Sequence, residues 1–199
     1  ARLLKARTTT LFLVILVVSF GLALLQPRFL DAENLTSVVM GMTYDLLMAT
    51  GMTIVLILGG IDLSVGSVLG LSGVVMTMLL SQHVMGGSVP IPVALIAGLA
   101  VATVCGALNG IGVARLKIAP FIVTLSMMSI ARGLSTVLTS GWFVSGLPEG
   151  YLAIGQGTLL GIPYPVYITL CILVVLAFLL NNWKPLNQIF YIGSNPRAA

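Results

Sequence analysis

The sequence predicts an all-α, polytopic transmembrane helix bundle, and three observations predict it. Of 199 residues, 58% are hydrophobic and only 7% are charged, where a soluble domain carries about 25% charged residues. So few charges cannot cover a surface that faces water, and the mean hydropathy of +1.14 agrees that the solvent is lipid. About six apolar runs of spanning length recur along the chain, separated by short polar or basic loops. One of these runs is interrupted. Gly59-Gly60-Ile61-Asp62-Leu63-Ser64-Val65-Gly66-Ser67 sets a carboxylate among three glycines and two serines, between apolar runs 52–58 and 68–80. An acid at the bilayer centre costs roughly 2.5–3.5 kcal/mol on insertion scales. A broken helix at that depth is tolerated only where it is buried in protein or lines a cavity. The break at Gly59–Gly66 is therefore expected at a protein-lined site and not against lipid.

Taken in order, Arg2, Lys5 and Arg7 precede a first span at 11–25. Gln26-Pro27-Arg28 after it is no small-residue cleavage site, so the run reads as a span and not a signal peptide. The polar loop 26–34 closes at Asn34, expected as a helix N-cap. The second run, 35–58, contains Asp45 and leads into the break. The third starts inside the motif at Leu63 or Ser64 and continues to Leu80. Gly86-Gly87 and Pro90 make 81–90 a loop, with His83 solvated in it. The fourth span, 91–114, carries Gly98, Ala102, Gly106 and Gly110 at steps of four, a stripe suited to close helix packing, with Asn109 beside it. Arg115 and Lys117 form a basic loop before a fifth span at 119–138, in which Arg132 is expected to snorkel outward. Segment 139–162 is glycine-rich, holds Trp142, Phe143 and Glu149, and has no basic residue. The sixth span, 163–180, ends at Asn181-Asn182-Trp183-Lys184.

Basic residues orient the bundle, because cytoplasmic loops accumulate Lys and Arg. A cytoplasmic N-terminus and six crossings put Arg2, Lys5, Arg7, Arg115, Lys117, Lys184 and Arg197 inside, with only Arg28 outside. The depth of the motif stays open between an inner turn and mid-bilayer. Other classes lack their residues. No basic stripe interleaved with aromatics suggests nucleic acid. Cys105 and Cys171 lie within apolar runs, which argues against a disulfide framework. One histidine and no clustered carboxylates leave neither a metal site nor an acid–base pair, so the chain is not expected to be an enzyme or to hold a cofactor.

Several residues carry two readings. Asp62 is either a cap for the helix that restarts beside Ser64, held by backbone N–H groups and the helix dipole, or a direct contact for a solute. Asp45 must face the bundle interior, a water-filled cavity or a base. Phe121 and Trp142 suit stacking on a sugar, but equally suit core packing and an interfacial belt respectively.

The motif, preceded by Gly51-Met52-Thr53-Ile54-Val55, resembles the signature of the ribose-type permease subunits of bacterial ABC importers. Three further segments resemble that family in order and spacing: Leu108-Asn109-Gly110 with Val113-Ala114, Ala119 to Leu125 leading to Ala131-Arg132-Gly133, and Ile189 to Ala199. Branched-chain amino acid relatives carry a different pattern at the motif, and Pro185 to Gln188 replaces a more basic stretch. The resemblance implies one transmembrane permease domain over 1–199, with 185–199 opening a cytoplasmic coupling segment and about the last third of the family's length missing. It implies translocation of a sugar or sugar-like solute through a path that includes the motif, Gly59, Gly60, Asp62, Ser64, Gly66 and Ser67; Asp45, Asn109 and Phe121 are further pathway candidates on the residue arguments alone, since the resemblance says nothing firm about Asp45. Gly193, Asn195, Ala198 and Ala199 would contact an ATP-binding subunit, and this chain has no Gly-x-x-x-x-Gly-Lys-Ser/Thr loop of its own. An extracytoplasmic solute-binding protein, a second permease subunit and the bacterial inner membrane complete the expected setting. The rivals are an ion-coupled secondary transporter using Asp45 and Asp62, and a non-transporting membrane scaffold.

Overall fold

The computed structural model describes residues 2–87 and 89–194. The chain divides into two compact units between Thr43 and Tyr44. The first holds helix α1 (Arg2–Leu25), a 3-10 turn (Pro27–Leu30) and the first part of α2 (Ala32–Ile57). The expected cap at Asn34 is overturned. Helix α2 starts at Ala32, three residues earlier than that cap requires, the Asp31 carbonyl accepts the Leu35 N–H, and Asn34 Nδ2 donates to the Phe29 carbonyl at 2.7 Å. The side chain works as a donor to the preceding turn because the helix N–H groups it would have accepted from lie elsewhere.

The second unit continues α2 and adds α3 (Val65–Leu80), α4 (Gln82–Met85), α5 (Ile91–Ala114), α6 (Pro120–Thr139), α7 (Glu149–Gln156), a hairpin of β1 (Thr158–Leu159) with β2 (Ile162–Pro163), α8 (Tyr164–Asn182) and α9 (Lys184–Ser194). Helices α5, α6 and α8 each carry a proline in their first two positions, where the missing N–H removes no helix bond. Five helices among the described residues are long and apolar enough to cross a membrane: α1 from Thr8, α2, α5, α6 and α8. Helix α3, of 16 residues, is equally apolar but rises only about 24 Å, and falls short of the other five.

Helix α3 is the centre. It packs against both α5 and α6, and Leu71, Cys105, Met127 and Ala131 bury between them with Val68, Val75 and Val101 alongside. Large apolar side chains such as Val137 and Val174 stay 75% and 69% exposed, as lipid-facing positions do. The glycine stripe divides. A Cβ on Gly98 would lie 3.2 Å from the Ser72 carbonyl oxygen, whereas Gly106 and Gly110 face open space. Off the stripe, a Cβ on Gly112 would stand 3.0 Å from Val123 Cγ1, so Gly112 is where α6 seats on α5.

Two expected loops hold structure. Segment 81–90 contains α4, capped by Ser81, whose Oγ accepts the His83 N–H at 3.3 Å and donates to the Ser145 carbonyl at 2.7 Å. The α3–α4 corner is thereby tied to the chain after α6. Segment 139–162 contains α7 and most of the hairpin. Short polar-flanked elements of this size leave little periodicity to read.

Candidate functional site

The break begins with a Schellman closure. Gly59 sits at φ +82, its N–H reaches the Leu56 carbonyl at 3.0 Å, and the Gly60 N–H reaches the Val55 carbonyl at 3.1 Å. A residue in the left-handed region followed by this pair of bonds ends a helix while satisfying its last carbonyls, and only glycine takes the first position without strain. Gly60 packs on Pro120, 3.6 Å from where its Cβ would be. Irregular chain then runs to Ser64, where α3 begins.

Asp62 is not itself the N-cap; Ser64 is. The Asp62 carboxylate oxygen Oδ1 accepts the Ser64 N–H at 2.7 Å and the Ser64 hydroxyl at 2.6 Å. The first bond is an Asx-turn, which fixes the cap residue from two positions upstream. Ser64 is 1% exposed, and its Oγ accepts from Asn109 Nδ2 at 3.0 Å. Asp62, Ser64 and Asn109 thus form one directed chain of hydrogen bonds linking the break to α5. Thr124 adds a tie from α6, its hydroxyl lying 3.3 Å from the Ile61 carbonyl and 2.9 Å from its own Pro120 carbonyl.

These contacts place the break along the length of the bundle. Asn109 lies six residues before Arg115, about 9 Å along a helix, and Gly60 abuts the first residue of α6. The break therefore sits near the end of the bundle where Arg115 and Lys117 turn α5 into α6, and not at its middle.

Between α3 and α5 opens a cleft of about 560 Å³. Asp62, Ser64, Ser72 and Asn109 supply its polar atoms; Val68, Leu69, Met76, Leu95 and Leu99 supply apolar wall, Gly73 and Gly106 keep it wide, and Gly98 lines it where α5 touches α3. Ser72 Oγ and Asn109 Oδ1 are buried without a hydrogen-bond partner. Such atoms cost roughly 1–3 kcal/mol each when left unpaired, so the packing beside the cleft carries two unmet hydrogen bonds.

The other expected site residues disperse. Gly66 and Ser67 lie in the first turn of α3, off the cleft wall; Asp45 is exposed on α2, and Phe121 is 55% exposed on α6. Gly193 lies in α9 against the Ile57 carbonyl, while Asn195, Ala198 and Ala199 fall outside the described residues. Trp142 and Phe143 are exposed beside a separate cavity of about 390 Å³ that Thr77, Ser135 and Thr136 also line. Ser72 and Thr124 were not singled out in the sequence. A hydroxyl within an apolar run is the only signal either left there.

Comparison with known proteins places these features. Residues 34–199 match the family described as branched-chain amino acid transport system / permease component. The ribose import permease protein of Bacillus subtilis (strain 168) is 36% identical over 191 residues, 95% of this chain and 56% of its own length. The L-arabinose ABC transporter permease protein of Azospirillum brasilense is 35% identical over 188 residues, 94% and 54% respectively. The autoinducer 2 import system permease protein of Salmonella typhi is 31% identical over 193 residues, 97% and 54%. The chain thus spans little more than half the length of these relatives. No solved structure matches. With apolar helices of spanning length and a family model covering most of its residues, the chain is a multi-pass membrane protein belonging to the branched-chain amino acid transport system / permease component family.

Proposed function

We propose that this chain is part of the permease subunit of an ATP-driven importer, and that it carries a sugar or sugar-like solute across the bacterial inner membrane. The observation that supports this best is the Asp62–Ser64–Asn109 chain at the edge of the α3–α5 cleft. A sugar presents hydroxyl donors and C–H faces together. The cleft is lined by Asp62, Ser64, Ser72 and Asn109 together with apolar wall, a mixed lining that suits such a solute. Its volume falls within the ordinary range of small-molecule sites, about 300–1,000 Å³. Helix α9 and the break lie at the same end as the Arg115–Lys117 loop, which the basic-residue rule assigns to the cytoplasm together with the N-terminus. There α9 would meet an ATP-binding subunit, while a solute-binding protein would deliver from the opposite face. Two permease copies related by a two-fold axis would frame the path. Asp45 is exposed on α2 and is absent from the lining of the cleft that holds Asp62, which gives the ion-coupled alternative no support.

Reconstituting the permease with its ATP-binding subunit and solute-binding protein in vesicles tests this. Uptake from a panel of pentoses, hexoses and furanosyl signalling molecules should require ATP hydrolysis and ignore collapse of ion gradients. Uptake that continues with hydrolysis blocked rejects the proposal.

A further inference from the structure

We infer that Gly193 is a positioning residue that clasps the C-terminal helix to the end of the broken helix, so that displacement of α9 reaches the break at Gly59–Asp62. This rests on the proposed coupling role of α9. The most amphipathic of the described helices is α9, and Leu186, Ile189, Phe190 and Gly193 fall at i, i+3, i+4 and i+7, on one face. That face ends in a residue with no side chain. There the backbone of α9 comes directly under the end of α2: a Cβ on Gly193 would run into the Ile57 carbonyl oxygen, and would lie 2.8 Å from the carbonyl carbon and 3.5 Å from Ile57 Cγ2. A close Cα–H to carbonyl approach of this kind is a recognised helix–helix contact.

The contact falls at the point where α2 gives way to the break. The carbonyls of Val55 and Leu56 are taken by the Schellman bonds of Gly60 and Gly59. Ile57 is thus the last helical residue before the left-handed turn, and Asp62 with its Ser64 and Asn109 partners comes five residues later. Backbone held against backbone leaves no flexible side chain to absorb a shift. Movement of α9 therefore has to move Ile57, deform the Gly59 turn or open the clasp. The first two change the cleft. Glycine is required because any Cβ meets main chain, which cannot rotate away.

The test uses the full-length permease with its ATP-binding subunit, with Cys105 and Cys171 replaced and Ile61→Cys as a reporter at the break. Gly193→Ala and Gly193→Val are each assayed for ATP hydrolysis and for solute uptake, and the two are compared as a ratio. Uptake per ATP hydrolysed should fall by roughly 2- to 30-fold, the range such couplings span. Thiol labelling of the reporter, expected to change with nucleotide when Gly193 is intact, should no longer respond. Normal uptake per ATP and a normal labelling response in Gly193→Val overturn the inference. If that variant does not assemble, Leu58→Cys with Ile192→Cys in the Gly193 background decides: bridging by a short bifunctional thiol reagent supports the clasp, and its failure overturns it. Gln188→Ala with Tyr191→Ala, on the face of α9 opposite Gly193, tests the underlying reading separately. An ATP-binding subunit that stays fully bound and fully coupled there removes α9 as its contact, whatever the cross-link reports.

Discussion

Replacing Asp62 probes the hydrogen-bond chain most directly, and the structure supplies the size of the effect. Its Oδ1 takes two bonds from Ser64, at 2.7 and 2.6 Å, and bonds to a charged group contribute about 1.5–3 kcal/mol each. In Asp62→Ala both are lost. Part of the loss is recoverable, because Asn109 Oδ1 is unpaired and a flip of that amide lets it accept the freed Ser64 hydroxyl. The Ser64 N–H has no such alternative, and removing the carboxylate relieves some desolvation. The net cost is about 2–4 kcal/mol. Asp62→Asn keeps an oxygen in the same place without the charge, and halving the bonds leaves a cost of about 1–2 kcal/mol. Cys105 gives the readout. It is buried against Leu71, whereas Cys171 is exposed, so in a Cys171→Ser background maleimide labelling in detergent reports opening of the α3–α5 packing. Labelling should quicken roughly 30- to 1,000-fold in Asp62→Ala and about 5- to 30-fold in Asp62→Asn. An Asp62→Ala variant that labels at the wild-type rate, or an Asp62→Asn variant as fast as Asp62→Ala, refutes the role given to the charge.

Other expectations rest on single contacts. Gly59→Ala forces a side chain to φ +82 and should cost about 1–2 kcal/mol in the same labelling assay. Gly60→Ala meets Val55 Cγ1 at 3.4 Å and Pro120 at 3.6 Å, ordinary van der Waals contacts, and should be near neutral. Gly112→Ala presses on Val123 and should destabilise by about 1–3 kcal/mol; adding Val123→Ala should recover part of that, and strict additivity of the two costs would contradict the contact. Ile61→Cys and Lys117→Cys should react with an impermeant thiol reagent from one side of sealed vesicles, and Trp142→Cys from the other. Burial, and then the neighbouring Tyr44, raise the Tyr151 phenol above its usual value, which is about 10. The folded state then keeps a proton that the unfolded chain loses. Tyr151 should therefore leave stability unchanged below about pH 10 and reduce it above, and Tyr44→Phe should bring its ultraviolet titration partway back.

Much of the site was legible because its residues are dear in oil. Asp62, flanked by Gly59, Gly60 and Gly66, stands out in an apolar run by cost alone, and the structure does interrupt the helix there. Asn109 was noticed beside the glycine stripe, but as a neighbour of small residues and not as the partner of Ser64, 45 positions away. The stripe itself read as one uniform surface. Only packing shows that Gly98 touches α3 while Gly106 widens a cleft, since a period of four states which residues share a face but not what faces them.

By itself, the sequence determined that this protein lives in lipid and that one apolar run is broken around an acid; it led to an expectation of about six crossings, where five of the described helices are long and apolar enough to span. Those are consequences of composition, run length and the desolvation of a carboxylate, each a property of the chain read locally. Tertiary structure alone decided that Asp62 acts through Ser64 on Asn109, that the break lies near the Arg115–Lys117 end, and that Gly193 meets Ile57. The reason is that a hydrogen bond or a backbone contact between distant segments depends on which helices are neighbours and at what height. Apolar runs of similar length and composition do not encode that pairing one at a time; it is settled when α3, α5 and α6 pack together.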